Sequence, residues 1–226
     1  MSHNQAVAAD PLVRPTKPLL RGYSHAVAVP GAIVATILLL RASSGQVALQ
    51  VSLGIYGLTL ILLFAGSATY HVGRWSLAVE RGLQRLDHSN IFLVIAGTYT
   101  PVSVALLTGW SRVGILVAVW TLALSGAAIS LLGLHVPRGV LAALYLGVGW
   151  VALVVAPAIY SAVGVRGCSL IFAAGGLYTV GALCYAFKWP DPWHRVFGYH
   201  EVFHVLVIGA SALFVAFMAL YVAPRH

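Results

Sequence analysis

Apolar positions in this chain come in long runs, not in short segments of alternating polarity. Seven runs lie at 22–40, 46–72, 88–109, 113–134, 139–161, 168–187 and 199–222. Each is close to the about 20 residues that a helix needs to cross hydrocarbon. The strands of a membrane barrel would show about ten-residue segments of alternating polarity, and none is visible. Gly and Ala recur inside the runs, as close helix packing in lipid requires. Pro30, Pro101 and Pro157 fall within runs and are expected to kink their helices. The pattern predicts an all-α integral membrane protein with seven transmembrane helices. It is organised as a short tail over 1–20 and one seven-helix domain over 21–226.

Composition agrees with that pattern. Of 226 residues, 60% are hydrophobic and 8% charged, where a soluble domain carries about 25% charged residues. Thirteen basic and five acidic side chains cannot coat a water-soluble globule. The net charge of +8 comes from short loops, so it is read as topogenic charge at a lipid surface and not as a nucleic-acid footprint. With the N-terminus inside, the inner segments hold Arg14, Lys17, Arg21, Arg74, Arg81, Arg85, Arg138, Lys188 and Arg195, and the outer ones Arg41, Arg112, Arg166 and Arg225. Nine against four predicts a cytoplasmic N-terminus, an outer C-terminus and a multi-pass location in the cell membrane. Trp75, Trp110, Trp189 and Trp193 fall at expected helix ends, where indole rings prefer to sit. The first twenty residues lack the apolar stretch and small-residue cleavage site of a signal peptide. Cys168 and Cys184 share one expected helix, about 24 Å apart, too far for a disulfide.

Ionisable groups are costly in lipid and therefore informative. The middle of each expected span is free of Asp, Glu, Lys and Arg, which argues against an ion channel or a proton-coupled transporter. Polar groups gather at helix ends instead. The second span closes on GSATYH, placing Ser67 and His71 on one helix face. The third opens on LDHSN, placing Asp87 at or near a helix N-terminus, where the dipole favours a carboxylate. The seventh opens on GYHEVFHV, with His200 and His204 four residues apart and able to chelate one ion. Seven crossings bring all of these to the inner leaflet. Three neutral imidazoles and an open position describe a zinc site of catalytic type, with Asp87 holding the water or orienting an imidazole. HEVFH also fits the H-E-x-x-H pattern of zinc proteases, in which Glu201 would be the base. His25, His88, His135 and His194 lie near the same face and receive no role.

RGYSHA, SATYH, LDHSNIFLVIAGTYTP, GGLYTVGA and FGYHEVFH together resemble the hemolysin III branch of the progestin and adipoQ receptor family. The likeness covers residues 20 to 222, and its specific part is the Ser-x-x-x-His, Asp and His-x-x-x-His set. The resemblance implies a seven-helix fold, N-terminus inside, with zinc on His71, His200 and His204, Asp87 at the zinc-bound water and Ser67 in the same constellation. The wider grouping also resembles the alkaline ceramidases. Three readings stand open at this point. One is a zinc-dependent hydrolase of a lipid amide or ester, with Asp87 as general base and membrane lipids as partners. Another is a non-enzymatic sensor of membrane state, or a cytolytic protein, in which zinc ties helices together and His88 or Glu201 supplies a fourth ligand. The third is an intramembrane protease using Glu201.

Overall fold

The computed structural model describes residues 18–224. The tail expected over 1–20 lies largely outside the described residues, as do Arg14, Lys17 and Arg225. The architecture is all-helical: α1 (Tyr23–Ala42), α2 (Val47–Val72), α3 (Leu77–Leu106), α4 (Gly109–Leu131), α5 (Arg138–Trp150), α6 (Ala156–Phe187) and α7 (Tyr199–Phe217). A 3-10 turn, Val151–Val155, joins α5 to α6, and α7 widens into a π turn over Met218–Val222. No β-strand occurs among the described residues; one isolated bridge pairs Trp193 with Phe197. Among the described residues, six helices are long and apolar enough to cross a membrane: α1 to α4, the continuous stretch Arg138–Phe187, and Tyr199–Val222.

The stretch Arg138–Phe187 is 50 residues long. Straight, it would extend about 75 Å at about 1.5 Å per residue, more than twice the hydrocarbon thickness. It does not run straight. Gly164 has φ 65° and ψ −172°, a backbone that a residue without Cβ adopts at little cost. Trp150 Nε1 donates to Thr179 Oγ1 at 3.1 Å, and these two positions stand almost symmetrically about Gly164. The chain therefore reverses there and packs its two arms side by side. Pro157 sits in the first turn of α6, where a missing N–H removes no hydrogen bond.

α3 lies at the centre, in contact with α2, α4, α5 and α6. α6 packs on α7, and α7 reaches α1, which packs on α2 and so closes the bundle. Small residues set the spacing. A Cβ on Gly97 would stand 2.1 Å from Thr59 Oγ1, and one on Gly126 would stand 2.4 Å from the Phe92 ring. Lipid tails are as apolar as leucine, so helices associate through such close contact. The outer surface is apolar, with Val27, Val117, Val154 and Leu220 exposed, as a lipid-facing surface must be. Cys168 and Cys184 are both free.

α3 departs from its expected start. It begins eleven residues earlier than the apolar run, at Leu77, with Ser76 as its N-cap. The added turns carry Glu80, Arg81, Gln84 and Arg85, residues that form helix readily but cannot enter lipid. Asp87 consequently lies inside α3, three turns from its start, and is not an N-terminal cap.

Candidate metal centre

Three chain segments converge at one end of the bundle: the start of α1, the last turn of α2 and the first turns of α7. α7 is started by its own acid, since Gly198 N–H donates to Glu201 Oε2 at 2.7 Å. This satisfies a backbone donor that a helix start leaves open and sets His200 and His204 on one face. The other oxygen of Glu201 pairs with Arg21, just before α1. Leu19 N–H and Leu20 N–H donate to the carbonyls of Arg195 and Val196 at 3.0 and 3.1 Å, so residues 19–21 are strapped to the segment leading into α7. Gly22, at φ 84°, then turns the chain so tightly under α2 that a Cβ there would stand 2.5 Å from His71 Cβ.

The result is a cluster of buried imidazoles. One ligand atom each from His71, His200 and His204 lies within 4.8 Å of the others. His200 Nε2 and His71 Nε2 are 3.0 Å apart. Ring centroids are separated by 4.5 Å for His200 and His204 and by 5.2 Å for His71 and His204. Buried imidazoles whose nitrogens converge form a donor set that zinc accepts. The residues present therefore fit a bound ion.

Asp87 is buried beside the cluster, its Oδ2 3.7 Å from His71 Nε2. Ser67, also buried, turns its hydroxyl toward Asp87 without a hydrogen bond of good geometry. The structure thus brings together all five residues singled out by motif: Ser67, His71, Asp87, His200 and His204. Glu201 does not join them. It is 1% exposed, and both its oxygens are taken, by Arg21 and by Gly198 N–H. The base required by the protease reading is therefore committed elsewhere, and so is Glu201 as a fourth ligand. His88 stands 3.5 Å from the Tyr185 hydroxyl and takes a hydrogen bond from Tyr145 on its carbonyl. His194 is exposed and pairs with Asp191, and His135 is exposed.

One residue escaped sequence reasoning. His25 is buried and stacks on His204, with ring centroids 3.9 Å apart and planes 12° from parallel. An imidazole in the first turn of a span looks like any interfacial histidine. The usable signal was the cost of placing one in an apolar run at all.

His200 and His204 of the cluster line a cavity of about 180 Å³. His25, Ser67, Asp87, His200 and His204 are among its polar lining, and Ile95, Leu146, Phe172, Val207 and Phe214 are among its apolar walls. The arrangement can hold a cation next to a carboxylate and a hydroxyl, with an apolar chamber adjoining.

The family model for Haemolysin-III related proteins matches residues 13–215. The chain is 32% identical over 196 residues to the Hemolysin-3 homolog of Bacillus subtilis (strain 168), covering 84% of this chain and 86% of that protein. It is 32% identical over 209 residues to the Hemolysin-3 of Bacillus cereus, covering 91% and 90%. With six apolar helices of spanning length, this is a multi-pass membrane protein, and the chain belongs to the haemolysin-III-related family.

Proposed function

We propose that this protein is a zinc-dependent hydrolase of a lipid amide or ester, opening to the inner leaflet of the cell membrane. The observation that carries this reading is one juxtaposition: three converging buried imidazoles beside a carboxylate, of which His200, His204 and Asp87 line a largely apolar cavity. Seven crossings accompany it. The reversal at Gly164 divides Arg138–Phe187 into two arms, each long enough to span. An odd count puts the end of α2, the start of α3 and the start of α7 on one side, and the excess of inner basic residues makes that side cytoplasmic.

His71, His200 and His204 hold the ion. When bound, zinc supplies a Lewis acid and lowers the pKa of a coordinated water to about 7. Asp87 accepts a proton from the hydrolytic water and returns it to the leaving amine or alcohol. Ser67, beside Asp87, limits the orientations of that carboxyl. The apolar walls take the acyl chain and keep bulk water from the reacting bond.

The test is fatty-acid release from a panel of ceramide-like amides and lipid esters by the purified, zinc-loaded protein. Asp87→Asn should lower the rate about 10²–10⁴-fold while zinc content is unchanged. Release by the wild type no greater than by Asp87→Asn across the panel refutes catalysis.

A second reading, a zinc tie in a non-enzymatic sensor of membrane state, has one observation in its favour. α2 and α7 share little direct packing, so an ion held by His71 on one and His200 and His204 on the other would be their main link. Full thermal stability after chelation would count against it.

A further inference from the structure

A buried imidazole carries a donor and an acceptor, and leaving either unmatched is costly. His25 is 2% exposed. Neither ring nitrogen has a partner at hydrogen-bond geometry, although the ring lies near the backbone of His204. Its surroundings explain its position but not its polarity. One face stacks on His204, and Phe64 lies 5.1 Å away at a tilt of 52°. A phenylalanine would make both contacts without the desolvation cost. His25 is not one of the three residues whose nitrogens converge. It does line the cavity, as does the hydroxyl of Ser67, one turn along α2 from Phe64, which also lacks a well-formed hydrogen bond. Polar groups left open where an apolar chamber meets a cluster of imidazoles suit a ligand that carries its own oxygen to that point.

We propose that His25 is a ligand-binding residue: its imidazole N–H donates a hydrogen bond to the acyl oxygen of a fatty-acyl compound whose polar head lies at His71, His200 and His204. The stack on His204 holds the ring upright, so the donor is in place before the ligand arrives, and little ordering is needed on binding. The assignment gives the apolar cavity a fixed register. The acyl oxygen is anchored beside α1, and the chain runs away from it between α3, α5, α6 and α7. This rests on the reading of the three histidines as a metal centre.

The experiment uses the full chain in lipid nanodiscs loaded with cobalt(II), whose visible absorption reports what enters the metal's coordination sphere. Two probes are titrated: dodecanohydroxamic acid, which has an acyl oxygen and an alkyl chain, and azide, which has neither. His25→Phe keeps the ring stack and removes the nitrogens, whereas His25→Gln keeps a donor and removes the ring. His25→Phe should weaken the hydroxamate about tenfold, the loss of one hydrogen bond to a buried partner. The cobalt spectrum and the azide affinity should be unchanged, and His25→Gln should recover most of the hydroxamate binding. Equal hydroxamate affinity for His25→Phe and wild type overturns the assignment. So does an equal loss for both probes, or loss of cobalt from His25→Phe, either of which makes His25 a packing residue. A wild-type chain that takes up no cobalt overturns the metal reading and this assignment together, at a step read before any probe is added.

Discussion

The Arg21–Glu201 pair offers a quantitative test of how the centre is held. Glu201 is 1% exposed, and the Arg21 side chain is 17% exposed. Arg21→Met keeps most of the apolar stem and removes the guanidinium. Glu201 then remains as an interior carboxylate with only the Gly198 N–H, at 2.7 Å. Breaking a buried pair in this way costs about 3–5 kcal/mol. The surviving N–H and the partial exposure of Arg21 reduce the expected loss to roughly 2–3 kcal/mol. Glu201→Gln is milder, at about 1 kcal/mol, because the amide oxygen still accepts from Gly198 and Arg21 can turn to water. The double variant should match Glu201→Gln alone, giving a coupling of about 2–3 kcal/mol between the two sites. Equilibrium unfolding by dodecyl sulfate in mixed micelles, followed by tryptophan fluorescence, measures all four chains. If Arg21→Met falls within about 0.5 kcal/mol of wild type, or Glu201→Gln costs more than Arg21→Met, the ion-pair argument is wrong.

Further outcomes follow from single positions. Gly22→Ala combines a left-handed backbone with a Cβ 2.5 Å from His71 Cβ; if the three histidines hold a metal as proposed, strain of about 1–2 kcal/mol and a displaced His71 should lower metal affinity in chelator competition, and unchanged affinity contradicts this. Gly97→Ala drives a methyl to 2.1 Å from Thr59 Oγ1 and should cost about 1–3 kcal/mol by overpacking. Adding Thr59→Ala should recover most of that loss in the same unfolding assay. The His194 ring beside Asp191 holds that carboxyl below its ordinary 3.8. A depressed folded value stabilises above the unfolded pKa and is lost as pH falls through the lower folded one. The protection factor of the Tyr199 amide, whose N–H donates to Asp191 Oδ1 at 3.2 Å, should therefore fall only at pH below about 4; a fall between pH 5 and 7 contradicts it.

Local features of the centre were readable before the fold was. His200 and His204 share a face because they are four residues apart on one helix, which spacing alone establishes. His71 joins them through a tertiary contact across 129 positions, and sequence reached it through the parity of the crossings and the family resemblance, not through local spacing. The reversal at Gly164 was foreshadowed by two apolar runs separated near Arg166 and Gly167, although the left-handed backbone itself leaves no hydropathy signal. The start of α3 differs from the apolar run because hydropathy does not register the charged and polar helix formers Glu80 to Arg85, which extend the helix back to Leu77. His25 stayed hidden for a different reason. Its partner ring lies on the last helix, and nothing local distinguishes a stacked imidazole from an interfacial one.

The strap before α1 has a consequence for biogenesis. Arg21 and Glu201 stand 180 positions apart, so the first span leaves the ribosome long before its partner exists. Residues 19–21 lack their partners Arg195, Val196 and Glu201 until the start of the final helix is synthesised. The imidazole cluster is thus completed last, and a nascent or prematurely terminated chain lacks His200 and His204 and so has no complete cluster.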